Sequence, residues 1–303
     1  MEHLVCNIHH WGREPENLFL AGCLSPAVRE LRQAGLARRF WFQRFDARGP
    51  HLFLLLGAAA GRADELRARL GARMEAWLAA HPSTEPFTDE EIRTRHGQCR
   101  GKRLCALDEG DDLVPNNSLR WAPHPTDGYP LRFTAGAAGE TEIWELLSDL
   151  AAWSVDGLSS SSVAAVRWIA AVDTELRRAR PDLADMYWRR HATTLLSSLE
   201  ARLERGEEAA VLDALPRWVG TRNAAMFGRT WDAVEQESGV CPPLRRLLEL
   251  GFAYDGRTDA ARIALLREVS HSVLGQLGQP VFLHVPLVLY AWMRGRAAVV
   301  AGR

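Results

Sequence analysis

The sequence is short of several things, and each shortage excludes a class of protein. Lys102 is the only lysine among 37 basic side chains, so arginine carries almost all the positive charge. The formal net charge is −1, which argues against a general nucleic-acid binder, since these carry a basic excess. Cysteine is scarce and odd in number. Cys6, Cys23, Cys99, Cys105 and Cys241 include no pair at metal-ligand spacing, so free thiols are expected. No apolar run is long enough to cross a bilayer: Val281 to Met293 is broken by His284 and Pro286. The opening MEHLVCNIHH has no basic stretch followed by an apolar one, so no signal peptide is read and the cytoplasm is the expected location.

Common catalytic signatures are missing too. No Gly-rich phosphate loop or dinucleotide fingerprint follows any strand-like segment. There is no His-Glu-x-x-His pair, His9-His10 has no partners at ligand spacing, and no Gly-x-Ser-x-Gly elbow occurs. Motif searching alone stops at a soluble α+β protein with oddly placed Arg and His side chains.

What remains is a chain of 303 residues with 47% hydrophobic and 25% charged side chains, ordinary soluble values. Its most informative stretch is Arg38 to Leu56, RRFWFQRFDARGPHLFLLL. Two aromatic and aliphatic runs, Phe40–Phe45 and Leu52–Leu56, flank turn-forming residues and read as a hairpin. Arg44 and His51 interrupt it. A buried arginine is costly without a partner, so the pair is either a solvated edge or a sheet face aimed at a ligand.

Around the hairpin, His3–Ile8 alternates like a strand and Leu18–Leu36 reads as helix, with Ser25-Pro26 as a helix start. Ala60–Ala80 is an amphipathic helix through Leu66, Leu70, Met74 and Trp77–Leu78. His81–Thr134 is rich in proline, with short strands at Leu119–Ala122 and Leu131–Thr134. Arg93, Arg95, Arg100, Lys102 and Arg103 form a cationic cluster there around His96, either a solvated surface or a dock for an acidic peptide.

From Thr141 the pattern is helical. Segments start near Ile143, Val163, Leu183, Ala209, Asn223 and Leu244, another is capped by Thr258 or Asp259, and a last one, Val281–Arg296, holds His284, Tyr290, Trp292 and Arg294. The fold class expected is α+β, one domain over 1–303. An N-terminal antiparallel sheet with hairpin and flanking helices (1–134) precedes a mainly helical half (135–303).

The hairpin resembles the signature of the glutamate-eliminating domain of class I lantibiotic dehydratases and its stand-alone thiopeptide relatives. In that family a strand ends Arg-aromatic, an Asp-containing loop follows, and a His seven residues after the Arg opens the next strand. Arg44-Phe45, Asp46 and His51 match, with Asp46 one place early. The family continues His-apolar-Arg-apolar-Arg, where this chain has His51-Leu52-Phe53-Leu54-Leu55. A second element, Glu-x-x-Arg-Tyr-Gly-Gly, is matched partly by Arg95-His96-Gly97-Gln98 with Glu91 four residues before the Arg. The late His is matched by His284, without its usual Asn-Arg pair.

The resemblance implies an enzyme of ribosomal peptide maturation that needs neither a metal nor an organic cofactor. Losing both strand arginines removes cations that a leaving glutamate needs, which points to the branch that joins two dehydroalanines into a pyridine. It implies that Arg44, His51, His96, His284 and Tyr290 take part in catalysis. Arg44 would polarise an amide carbonyl or anchor the strand, and the others would move protons. Arg93, Arg95, Arg100, Lys102 and Arg103 would meet an acidic leader, while Trp292, Arg294 and the hairpin aromatics would hold the thiazole-bearing core. The partner implied is a leader-bearing peptide with thiazoles and dehydroalanines, not nucleic acid or membrane, and a homo-oligomer is left open. Two alternatives stand beside it: a glutamate-eliminating subunit of a split dehydratase, and a leader-binding module without activity.

Overall fold

The computed structural model describes residues 2–45, 49–88, 90–93, 113–122, 137–203, 221–236, 241–253 and 258–279, and singly 284, 287, 288, 290 and 291. These form two compact units, Met1–Leu158 and Ser159–Arg303.

The first unit is built on a four-stranded antiparallel sheet. Its strands are β1 (Glu2–His9), β2 (Ala37–Phe45), β3 (His51–Ala58) and β4 (Ser118–Ala122), in the order β2-β3-β1-β4. β3 is buried along its whole length, which explains a continuous apolar run where a one-sided strand would alternate. Side chains of paired residues share a face. Cys6, Ile8, Phe40, Phe42, Leu52, Leu54 and Leu56 point to the face that packs on helices. Those helices are α1 (Arg13–Phe19), α2 (Ser25–Gln33), α3 (Ala63–Ala80) and α4 (Ala137–Asp156).

The opening helical stretch departs from expectation in an instructive way. It begins at Arg13, and a π-turn over Leu20–Leu24 joins α1 to α2 without a break. Pro26 lies in the first turn of α2 and has no N–H to give; the wide turn ahead of it accommodates the lost bond and the ring. α4 belongs with the sheet although its sequence opens the helical half. Ala151 and Val155 lie in the sheet's core, and Phe40 N–H donates to Ser148 Oγ at 2.9 Å.

The second unit is helical: α5 (Ser161–Ala179), α6 (Pro181–Leu203), α7 (Thr221–Gln236), α8 (Pro242–Ala253) and α9 (Asp259–Gln276). α5 packs against the other four. Its Ala164, Ala165, Val166, Trp168, Ile169 and Ala170 are all buried, the pattern of a helix enclosed on most sides. Of the two caps the sequence offers, Thr258 is the one used: it caps α9 by accepting from Ala261 N–H at 3.3 Å. Among the described residues no helix is long and apolar enough to cross a membrane. The expected segments Leu131–Thr134 and Ala209–Trp218 lie outside the described residues.

Candidate functional site

The end of the sheet where β1 leaves and the hairpin turns brings together the polar groups singled out above. Phe45 pairs with His51, and Arg44 with Leu52. Neighbours along a strand face opposite ways, so Arg44 and His51 lie on opposite faces of the hairpin. A single face presenting both to one ligand is therefore corrected.

Arg44 points to the helical side, where α1 meets it. Its guanidinium donates to the Glu16 carboxylate and, at 2.5 Å, to Asn17 Oδ1. Only 13% of the Arg44 side chain and 9% of the Glu16 side chain remain exposed, which makes this a buried, hydrogen-bonded ion pair. Glu16 and Asn17 were not foreseen; they lie far from Arg44 in sequence and give no local signal.

His51 points to the other face, buried, with its ring tilted by 33° against that of His9 at 4.8 Å between ring centroids. Its Nδ1 lies 2.9 Å from Gly49 O. A carbonyl oxygen only accepts, so Nδ1 carries the proton and Nε2 carries the ring's lone pair. Gly49 has φ +111°, which favours glycine, and a Cβ there would meet Trp11 Nε1 and His9 Nδ1 at 3.5 and 3.7 Å. Trp11 is fixed through its backbone: its N–H donates to Asn116 Oδ1 at 2.9 Å, and its carbonyl accepts from Ser83 Oγ. His10 is separately anchored, Nε2–H donating to His81 O at 2.9 Å, and burial lowers its pKa. His9-His10, dismissed as a metal pair, thus contributes His9 to the His51 environment.

The face shared with His51 continues through Phe53 and Leu55. Phe53 meets Trp41 and Phe45 edge-on at 6.2 and 6.0 Å, and Phe45 lies 6.0 Å from His51. At the far end Arg39 lies 3.3 Å from His3. Phe53 and Leu55 are both buried in this aromatic layer.

Of the cationic cluster, Arg93 is exposed beside a reciprocal cap: Thr88 N–H donates to Glu91 at 2.8 Å, and Glu91 N–H to Thr88 Oγ1 at 3.2 Å. Glu91, the nominal partner of Arg95, has this capping role. Arg95, His96, Arg100, Lys102, Arg103, Trp292 and Arg294 lie outside the described residues.

His284 and Tyr290 belong to the helical unit. His284 is 1% exposed, and its Nε2–H donates to Gln279 O at 3.0 Å. Burial first, then the nearby His271, lower its pKa to about 3. The Tyr290 ring is gripped by Phe227 and Trp231 at 5.7 and 5.5 Å, and its hydroxyl faces Gly228, where a Cβ would approach to 3.4 Å. A small apolar hollow in this unit is walled by Leu176, Leu183, Tyr187, Leu247 and Arg262 among others; among the described residues, none of the candidate site residues lines it.

Among the described residues no group of three or more His, Cys, Asp or Glu side chains is placed to hold a metal ion. Cys6, Cys23 and Cys241 are free and buried, and burial pushes their thiols up to about 12, 11 and 11, far from the reactive thiolate range.

Residues 4–114, which contain the hairpin and the Arg44 and His51 environments, match the model of the lantibiotic biosynthesis dehydratase C-terminal family. The resemblance to that family is thereby shown over these residues.

Among solved structures, the fold is similar to "Pyridine synthase, TbtD, from thiomuracin biosynthesis", with a TM-score of 0.68 and 19% identity over 100% of this chain and 99% of that one. It is also similar to the tRNA-dependent lantibiotic dehydratase MibB from Microbispora sp. 107891 (TM-score 0.53, 14% identity, 97% of this chain but 28% of that one). TsrL is similar at TM-score 0.56 and 13% identity, over 97% and 94% of the two chains. Among curated proteins none matches the sequence. At these identities the likeness establishes the fold.

Proposed function

We propose that this chain is a thiopeptide pyridine synthase. It takes a leader-bearing peptide with thiazoles and two dehydroalanines, joins them in a formal aza-[4+2] cycloaddition, and releases water and the leader to leave a pyridine-centred macrocycle. The observation that carries the reading is the likeness to a pyridine synthase along the full length of both chains, where the full dehydratase matches over only 28% of its own. The composition of the His51 face supports it. Phe53 and Leu55 offer no cation to a leaving glutamate, which disfavours the elimination alternative.

One dehydroalanine is the two-carbon partner. The other, with its preceding amide as the iminol, is the azadiene. Two carbon bonds form, water departs from the former amide carbon, and the leader leaves as its amide as the ring becomes aromatic. Holding two distant parts of one peptide in a reactive pose can be worth about 7–11 kcal/mol. Positioned proton transfers add about 10²–10⁴-fold.

In this reading Arg44 anchors the strand through Glu16, since its donors are committed there. The lone pair on His51 Nε2 suits it to accept a proton or a hydrogen bond. The Tyr290 hydroxyl, its ring held by two aromatics, is the candidate donor. His284 acts as a neutral ring. His96, Trp292 and Arg294 keep their proposed roles at the core peptide, and Arg93, Arg95, Arg100, Lys102 and Arg103 theirs at an acidic leader.

Purified protein incubated with such a peptide, without ATP, metal or transfer RNA, should give macrocycle and free leader. Unchanged precursor would reject the reading. Glutamate released from a glutamylated peptide would replace it with elimination, and leader affinity without any mass change with a binding module.

A further inference from the structure

The core of the helical unit contains a polar seam. On α9, Ser270, Ser272 and Gln276 are buried; on α6, Tyr187 and His191 are buried; Gln279 and His284 complete the seam. Part of it is satisfied internally: Tyr187 O–H donates to Ser270 Oγ at 3.0 Å and His284 Nε2–H to Gln279 O at 3.0 Å.

The remainder is unusual. With its proton on Nε2, His284 presents a lone pair at Nδ1, and that atom is buried without a hydrogen-bond partner among the described residues. His191 Nδ1 is buried and unpartnered in the same way, its ring stacked on Trp188 at 6.2 Å and edge-on to Tyr187 at 5.5 Å. Leaving such an atom without a partner is costly, and native interiors hold few of them.

His271 links this interior to solvent. Its ring is exposed, yet lies 5.4 Å from the His284 ring at an interplanar angle of 76°. That separation is within reach of a bridging water or a modest ring rotation. The groups that act on the buried rings are cationic or potentially so. Burial is the main cause that holds both neutral; His271 acts on both, Arg267 from α9 acts on His191, and His191 acts on His284. Arg267 itself donates to Thr194 Oγ1 at 3.0 Å. A buried ring in such surroundings does not store a proton, so one that arrives is passed on.

We propose that His271 is the solvent-side member of a proton relay in the helical unit, exchanging protons between water and the lone-pair Nδ1 of His284, with His191 as a second inner ring. A proton from an acid in water is taken by one His271 nitrogen while the other releases one toward His284 Nδ1. His284 is briefly doubly protonated, with Nε2–H still on Gln279 O, and the reverse transfer restores it. No other bond changes. The relay's use in tautomerisation and dehydration rests on the pyridine-synthase reading; its existence does not.

The test therefore has two readouts. In full-length protein labelled with ¹⁵N-histidine, His284 should be the neutral Nε2–H tautomer, and the rate at which its Nδ1 gains and loses a proton, read from ¹⁵N relaxation dispersion, should be lower in His271→Ala and His271→Gln than in the wild type. Added imidazole should restore the rate in His271→Ala, with the melting temperature unchanged. With the peptide substrate the same variants should lower kcat and leave KM alone, again with imidazole rescue. Wild-type exchange in both variants, or slowing that imidazole does not relieve, overturns the relay whatever the peptide does. Slowed, rescued exchange in a protein that forms no ring leaves the relay standing and removes the pyridine-synthase reading instead.

Discussion

Arg44, at the end of the second strand, donates to the carboxylate of Glu16 on the helix that follows the first strand, and both side chains are largely removed from water. The pair ties the hairpin to α1 and turns the guanidinium away from His51. Removing one partner leaves a buried charge uncompensated, so Arg44→Met or Glu16→Gln should lower stability by about 3–5 kcal/mol. The double substitution should cost much less than the sum of the two. Chemical denaturation of the four proteins in a double-mutant cycle measures this, and additive losses would show that the pair is not coupled.

The aromatic layer makes a separate prediction. Phe53 is 3% exposed and touches Trp41 and Phe45, so Phe53→Ala should cost about 3–5 kcal/mol. Phe53→Arg should cost at least as much, because the face has no room for a solvated guanidinium. A well-folded Phe53→Arg protein, judged by its urea midpoint, would mean that this face opens to water.

Stability should also depend on pH through His191 and His284. Burial lowers both to about 3 from an ordinary 6.5. Between those values the unfolded chain binds more protons than the folded one, so their contribution is complete above pH 6.5 and is lost as the pH falls toward 3. Each ring should contribute a slope of up to about 1.4 kcal/mol per pH unit. Unfolding free energies at several pH values should show a shallower slope for His191→Phe than for the wild type. Equal slopes would contradict the burial of that ring.

Asp173 gives a fourth prediction. It accepts from Trp188 Nε1–H at 2.5 Å and pairs with Arg177 at 2.9 Å, and burial raises its pKa despite both. Asp173→Asn keeps an acceptor for the indole and should be tolerated. Asp173→Leu strands the buried N–H and should cost about 1–3 kcal/mol. Thermal unfolding distinguishes the two, and equal losses would show that the indole bond contributes nothing.

The strands and most helices were legible because their signals are local. The hairpin lay in its apolar runs, α3 in its Leu66, Leu70 and Met74 spacing, and the start of α9 in Thr258. The continuity of α1 and α2 was not, because proline marks a helix start as readily as it follows a π-turn. Arg44 and His51 were legible as oddities, but their facing follows from pairing register, which spacing within one strand does not reveal. Glu16, His9, His191 and His271 acquire meaning only through partners distant in sequence.

The central claim is that the chain forms a pyridine from two dehydroalanines. The most direct measurement is a mass-resolved time course with a leader-bearing, thiazole- and dehydroalanine-containing peptide, in buffer without nucleotide, metal or transfer RNA. The account predicts that precursor falls as two products rise together, free leader amide and a macrocycle, their summed mass short of the precursor by one water. Precursor that stays intact, or that changes mass without releasing the leader, would contradict it.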